Sequence, residues 1–229
     1  MTAFVLGATG FVGREVVRQL TVRATPVTAH VRPDSKQLDE WRARFTELGA
    51  AIDTSAWDAA ELAQALDRTK ASQLYILIGT TRSRGKSEAI DGDIYERIDY
   101  GLTRLAVDAA ITSVAKPRLV YLSGIGADAS ARGAYMRARG KAEDAVRGAG
   151  VPWVIARPAI ITGDRDDSRA GERTAAIVGD GLLAVAGAFG AKRLKARYKS
   201  TTPDVLASAL IRIGEAPEHD RVVDGADLR

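Results

Sequence analysis

Glycines at positions 7, 10 and 13 follow a short apolar run, residues 3–6, and precede a segment in which Val12, Val16, Val17 and Leu20 recur at helical spacing. Gly7 lets the chain turn sharply, Gly10 lets backbone N–H groups come close to a phosphate, and Gly13 lets a helix pack on the strand. The amino end of that helix then offers unpaired donors and a positive dipole. Strand, glycine loop and helix occur together, so Gly7, Thr9, Gly10, Phe11, Val12 and Gly13 are expected to cradle the pyrophosphate of a dinucleotide. A tight turn needing glycine for geometry alone is the alternative.

A second apolar run ends in His30-Val31-Arg32-Pro33, with Arg32 nineteen residues after Gly13. An NAD site usually carries an acidic residue there for the ribose hydroxyls. A carboxylate would repel a 2′-phosphate, whereas a guanidinium binds one through paired hydrogen bonds, and Lys36 adds charge close by. NADP(H) is therefore expected over NAD(H), the alternative being two solvated cations on a loop. A further run, residues 74–78, delivers Gly79, Thr80, Thr81 and Arg82 to the same edge. Gly79 allows close approach to the adenosine ribose and diphosphate and Thr80 offers a hydroxyl, while Thr81 reads equally well as plain loop.

The next run ends Val120-Tyr121-Leu122-Ser123-Gly124, and Tyr135 follows twelve residues after Ser123 in a helical stretch Tyr135-Met136-Arg137-Ala138-Arg139-Gly140-Lys141. This resembles the Ser and Tyr-x-x-x-Lys constellation of short-chain dehydrogenases. The resemblance implies that Tyr135 gives or takes the proton and that Ser123 hydrogen-bonds the substrate carbonyl. In that family the lysine holds the nicotinamide ribose and lowers the tyrosine pKa, help that a phenol titrating near ~10 needs at neutral pH. Here Arg139 stands in the lysine position. It lies about 40° round a helix from Tyr135, on a face shared with Ala138, Ala142 and Val146, so it is expected to point toward the sheet; Lys141, about 240° round, cannot replace it. Arg139 can supply charge and donate to a ribose hydroxyl, but it is bulkier and does not release a proton. Pairing with Glu143 along the helix is the alternative.

Together these segments resemble an atypical short-chain dehydrogenase of the NAD(P)-binding Rossmann superfamily, in its Tat-interacting-protein-like branch. The match includes residues 77–82 and 122–128, Gly140-Lys141-Ala142-Glu143, Ala156-Arg157-Pro158 and, most specific to the branch, residues 164–172. The resemblance implies NADPH as cofactor and places Arg157, Pro158 and Ile160 beside the nicotinamide. Two departures from the family pattern are Arg139 for the lysine and Gly124 for a second serine common at that turn.

The elements that position these residues follow from the spacing of the apolar runs. Runs at 3–6, 27–31, 74–78, 119–122 and 153–156, with a weaker one at 50–52, are continuous rather than alternating, as in strands buried on both faces of a parallel sheet. Helical patterns lie between them at 11–22, 59–66, 94–114 and from Tyr135, and Thr202-Pro203 opens another before a last short strand at 221–223. The expectation is an α/β fold: one doubly wound parallel sheet, a single domain over residues 1–229, with residues 158–229 on the substrate side.

Composition removes other classes. The chain has 229 residues, 46% apolar and 27% charged, with net charge +4, two His and no Cys. That excludes disulfides, thiolate catalysis, Cys-ligated metal and a multi-histidine site, and it argues against disorder. The longest apolar stretch, residues 182–191, is interrupted by Gly187 and Gly190 and falls short of the ~20 residues that span a bilayer. Without a basic leader segment, a cytoplasmic protein, monomer or homodimer, is expected. Residues 192–199 carry five cations in eight residues, but no nucleic-acid fold accompanies them, so nucleic-acid binding is not expected. About 70 residues after Pro158 leave no room for a large cap, so the substrate is expected to be small. The expected activity is NADP(H)-dependent reduction of a carbonyl-like substrate, and a dinucleotide-sensing binding protein without turnover is the second expectation, favoured by Arg139.

Overall fold

Four residues in the first strand show how both faces of the sheet are used. Ala3 and Val5 enter one apolar cluster and Phe4 and Leu6 the other, all fully buried, as the two-residue period of a strand requires. A computed structural model describes residues 1–80, 93–159, 161–162 and 201–228. In it, β1 (Ala3–Leu6), β2 (Val27–His30), β3 (Ala51–Asp53), β4 (Gln73–Ile76), β5 (Arg118–Leu122), β6 (Trp153–Arg157) and β7 (Arg221–Asp224) form one sheet in the order β3-β2-β1-β4-β5-β6-β7. Every pairing is parallel. The expected doubly wound sheet is present, and strand order reverses between β1 and β4, where ligands of such sheets bind at the carboxyl ends.

Helices cover both faces. α1 (Gly13–Val22) packs Val16, Val17 and Leu20 into the cluster that also receives Phe45 of α2 (Leu38–Glu47) and Leu206 and Leu210 of α6 (Pro203–Glu215). On the other face lie Leu62 and Leu66 of α3 (Ala59–Arg68), Ala106 and Val107 of α4 (Thr103–Thr112), and Ala142 and Val146 of α5 (Ala134–Arg147). Each Leu or Val so buried contributes roughly 1.5–3 kcal/mol. Trp41, Trp57 and Trp153 pack against these clusters, as core-edge residues do.

Two elements differ from the sequence reading. α2 had no apolar signature, because only Phe45 on it is buried. The long helix expected at 94–114 opens instead as a π-helix, Tyr95–Leu102, before continuing as α4. At the centre of the π-helix Asp99 is fully buried. Wide turns of this kind are rare and recur at functional sites.

Candidate functional site at the carboxyl edge of the sheet

The glycine loop fits its expected geometry. Gly7 has φ +79°, and a Cβ there would meet the Leu77 carbonyl oxygen at 2.6 Å; one on Gly13 would meet the Gly7 carbonyl oxygen at 2.1 Å. Only glycine permits the loop to lie this close to the end of β4 and to α1. The Gly10 N–H donates to the Gly7 carbonyl, and α1 begins without a side-chain cap. In its first turn the Arg14 and Val16 N–H groups donate to the Gly10 and Val12 carbonyls. Thr9 and Phe11 are partly exposed on this loop, whereas the Val12 side chain is buried in the core, so Val12 can offer only its backbone.

Arg32, just past β2, keeps about a third of its side chain exposed, with Nε 3.8 Å from Asp34 Oδ1, and Lys36 is exposed four residues on. Gly79 and Thr80 follow β4 at the same edge. Thr81, Arg82 and Ile160 lie outside the described residues, as do the 164–172 and 192–199 segments.

Arg139 points inward, as its helical position predicted, but its partners are not those expected. Its side chain is 6% exposed and that of its partner Asp99 0%, with Nη2 2.9 Å from Asp99 Oδ1. Nη1 donates to the Leu122 carbonyl at 2.7 Å and to the Tyr121 hydroxyl at 3.2 Å. The guanidinium carbon lies 5.3 Å from the Tyr135 ring centroid and 5.8 Å from that of Tyr121, a cation–π arrangement on both. Pairing of Arg139 with Glu143 does not occur, because Asp99 captures the guanidinium from the π-helix. Most of the donors that would hold a ribose are therefore engaged inside the protein, which corrects the expectation of a ribose-holding Arg139. Burial raises the Asp99 carboxyl to about 6, with Arg139 and the Thr80 backbone N–H holding it lower than burial alone would. Burial works against the Arg139 charge too, but Tyr121, Tyr135 and Asp99 outweigh it and keep the guanidinium firmly protonated. Lys141 is paired with Glu96, on the same π-helix as Asp99, at 2.7 Å, and not with Tyr135.

Ser123 also differs from expectation. Its hydroxyl donates to Glu143 Oε1 at 2.6 Å, and a hydroxyl has one proton to give. The same carboxylate, fully buried, accepts from Arg157 Nε at 2.8 Å and Nη2 at 2.5 Å and from Arg147 Nη2 at 2.6 Å. Ser123 and Arg157 are thus tied to one anchor beneath the ends of β5 and β6, which corrects the assignment of Ser123 as a donor to a carbonyl. Pro158 is buried, with its carbonyl bonded to the Ile125 N–H. The backbone position that faces the Tyr135 phenol is Gly124, where a Cβ would lie 3.8 Å from the phenol oxygen.

Tyr135 is partly exposed, edge-on to Tyr95 with centroids 5.3 Å apart. It is joined to the glycine loop by a continuous chain of contacts. Gly7 abuts Leu77, Gly79 abuts the Arg139 guanidinium at 2.7 Å from a would-be Cβ, and Arg139 lies against the Tyr135 ring. Asp99, Glu143 and Gly140 were not singled out from sequence for these roles. Asp99 and Glu143 look like ordinary helix-surface acids in a linear reading. Gly140 packs α5 on the preceding loop, where a Cβ would meet Asp128 and Ala129 backbone at 2.1 Å; its place directly after Arg139 was the available signal.

Residues 7–181 match the family model described as NAD(P)H-binding. Among curated relatives, the mitochondrial protein FMP52 of Candida albicans is 29% identical over 172 residues, covering 73% of this chain and 70% of that one. The mitochondrial fmp52 of Emericella nidulans is 30% identical over 177 residues, covering 74% and 71%. These names overturn the cytoplasmic expectation, since both relatives are mitochondrial proteins. Among solved structures, ChuY, an anaerobilin reductase of Escherichia coli O157:H7, superposes with TM-score 0.65 at 16% identity over 98% of this chain and 95% of that one. The UDP-N-acetylglucosamine 4-epimerase of Bacillus cereus gives 0.63 at 15% identity over 98% and 78%. At such identities the likeness is one of fold.

Proposed function

The chain belongs to the NAD(P)H-binding family, and from that premise we propose that it is an NADP(H)-dependent oxidoreductase of the atypical short-chain dehydrogenase type, acting on a small carbonyl-like substrate. The observation that carries this reading is the chain of packing contacts that links the Gly7–Gly13 loop, through Leu77, Gly79 and the buried Arg139, to the Tyr135 ring. The Gly7–Gly13 loop and the amino end of α1 would hold the pyrophosphate of a dinucleotide, and the bound cofactor would supply the hydride. Tyr135 is the one partly exposed hydroxyl of the Ser123–Tyr135 pair and holds the proton for the substrate oxygen. Arg139 balances charge behind it. Arg32 and Lys36 would hold the 2′-phosphate, Thr80 and Gly79 the diphosphate, and Arg157 and Pro158 would flank the nicotinamide.

Calorimetric titration with NADPH and NADH tests the cofactor half. NADPH is expected to bind more tightly, and Arg32→Glu to cost it roughly ten- to a hundred-fold, the size of a lost charge-assisted contact turned repulsive, while NADH changes little. Equal affinities in the wild type would refute the preference. NADPH oxidation against a carbonyl panel, abolished by Tyr135→Phe, tests the chemical half. A second reading, an NADPH-binding regulatory protein without turnover, is favoured by the engagement of the Ser123 proton and the Arg139 fork inside the protein. It is supported if NADPH binds and no member of the panel is turned over.

A further inference from the structure

Ion pairs with both partners withdrawn from water are expensive, because each charge loses its hydration and their attraction rarely returns more than that loss. The Asp99–Arg139 pair is of this kind, and it is set into a π-helix rather than a regular turn. Its location is specific. On one side of the guanidinium lies the Tyr135 ring, and on another Gly79, where a Cβ would come within 2.7 Å of Nη2 and 3.7 Å of Asp99 Oδ1. Gly79 is itself exposed at the sheet edge. One glycine peptide therefore separates the buried pair from the surface along which the dinucleotide is proposed to lie.

We propose that Asp99 is the positioning residue of this site: its carboxylate pins the Arg139 guanidinium behind Gly79 and Tyr135 and cancels its charge, so that the two side chains serve as one neutral unit where the resembling family has a free cation. The proposal rests on the NADP(H) reading above. The groups acting on Asp99 are Arg139 from α5, Tyr121 from β5 and the Thr80 backbone from the β4 edge, with Asp93 further along its own segment, while Tyr135 lies against Arg139. The neighbouring charges are paired among themselves, Arg137 with Asp93 and Lys141 with Glu96. Arg139 stays protonated throughout the usable pH range, whereas Asp99, lifted to about 6 by burial, takes up a proton within it. The unit is neutral above that value and carries one positive charge below it. An anionic dinucleotide across the Gly79 peptide then gains attraction in acid.

The test is the dissociation constant of NADPH, read by calorimetry at pH 5 and pH 8, for the wild type and Asp99→Asn. A carboxamide reproduces the neutral acid at every pH. Asp99→Asn is expected to bind NADPH about five-fold more tightly than wild type at pH 8, as one added charge behind a thin wall would produce, and equally at pH 5. Comparison at each pH cancels the titration of the ligand and of other side chains. A purely structural role would shift both pH values alike, and a pH-independent ratio overturns the proposal. The doubly neutral variant Asp99→Asn/Arg139→Met gives the mirror pattern and replaces the single variant should that one not fold: equal to wild type at pH 8, about five-fold weaker at pH 5. Equality at both values would also overturn it. Absence of NADPH binding by the wild type at either pH would instead refute the functional reading, and the proposal with it.

Discussion

Replacing Glu143 by Gln isolates the anchor under the ends of β5 and β6. The carboxylate is fully buried and receives four donors: the Ser123 hydroxyl at 2.6 Å, Arg157 Nε and Nη2 at 2.8 and 2.5 Å, and Arg147 Nη2 at 2.6 Å. Gln keeps the volume and one acceptor oxygen but turns an N–H₂ group toward a guanidinium and removes the charge that both arginines share, leaving Arg147 with Asp144 at 3.1 Å and Arg157 with the Ala127 carbonyl at 3.3 Å. Breaking a buried pair by removing one partner costs ~3–5 kcal/mol. Here the arginine side chains are 23% and 36% exposed and can recover part of their hydration, so the lower end applies, about 3 kcal/mol. For a domain of this size that lowers Tm by roughly 6–12 °C. Urea unfolding with an unchanged slope, alongside a thermal scan, measures it. A loss below about 1 kcal/mol would mean that the arginines are held elsewhere and that Glu143 is no anchor.

Other consequences follow from the same contacts. Gly13→Ala places a Cβ 2.1 Å from the Gly7 carbonyl oxygen; since backbone cannot yield as a side chain does, at least ~3 kcal/mol is lost along with dinucleotide binding, and a folded, NADPH-binding variant would contradict this. Asp99 is lifted from 3.8 to about 6, so the folded state holds a proton that the unfolded chain has released, and its contribution to stability declines as pH rises from about 4 to 6. Asp99→Asn should therefore gain on the wild type across that window by on the order of 3 kcal/mol, read by urea titration at each pH. His30 runs the other way. Burial lowers its pKa below 6.5, with its Ser55 carbonyl contact and Asp53 opposing, so its contribution is intact above 6.5 and is lost progressively as pH falls below 6.5 toward the lowered folded-state pKa. His30→Gln should flatten the acid limb of the stability curve, and an unaltered limb would show that the buried ring is not its source.

The parallel sheet and the tight glycine loop were legible in the chain because their causes are local. Strands buried on both faces leave unbroken apolar runs, and a βα turn that must pass under a backbone carbonyl needs glycine at 7 and 13 whatever surrounds it. Helical spacing also settled that Arg139 faces inward. What spacing cannot express is which distant side chain waits there. Asp99 meets Arg139 across forty residues of sequence, and Arg157 at the end of β6 meets Glu143 of α5; both pairings exist because parallel crossovers bring the ends of separate strands and helices to one edge. Proton direction is decided the same way. A serine at the end of β5 is the same letter whether it gives its hydrogen to a substrate or to a buried glutamate, and only the packing of α5 against β5 and β6 gives that hydrogen to Glu143.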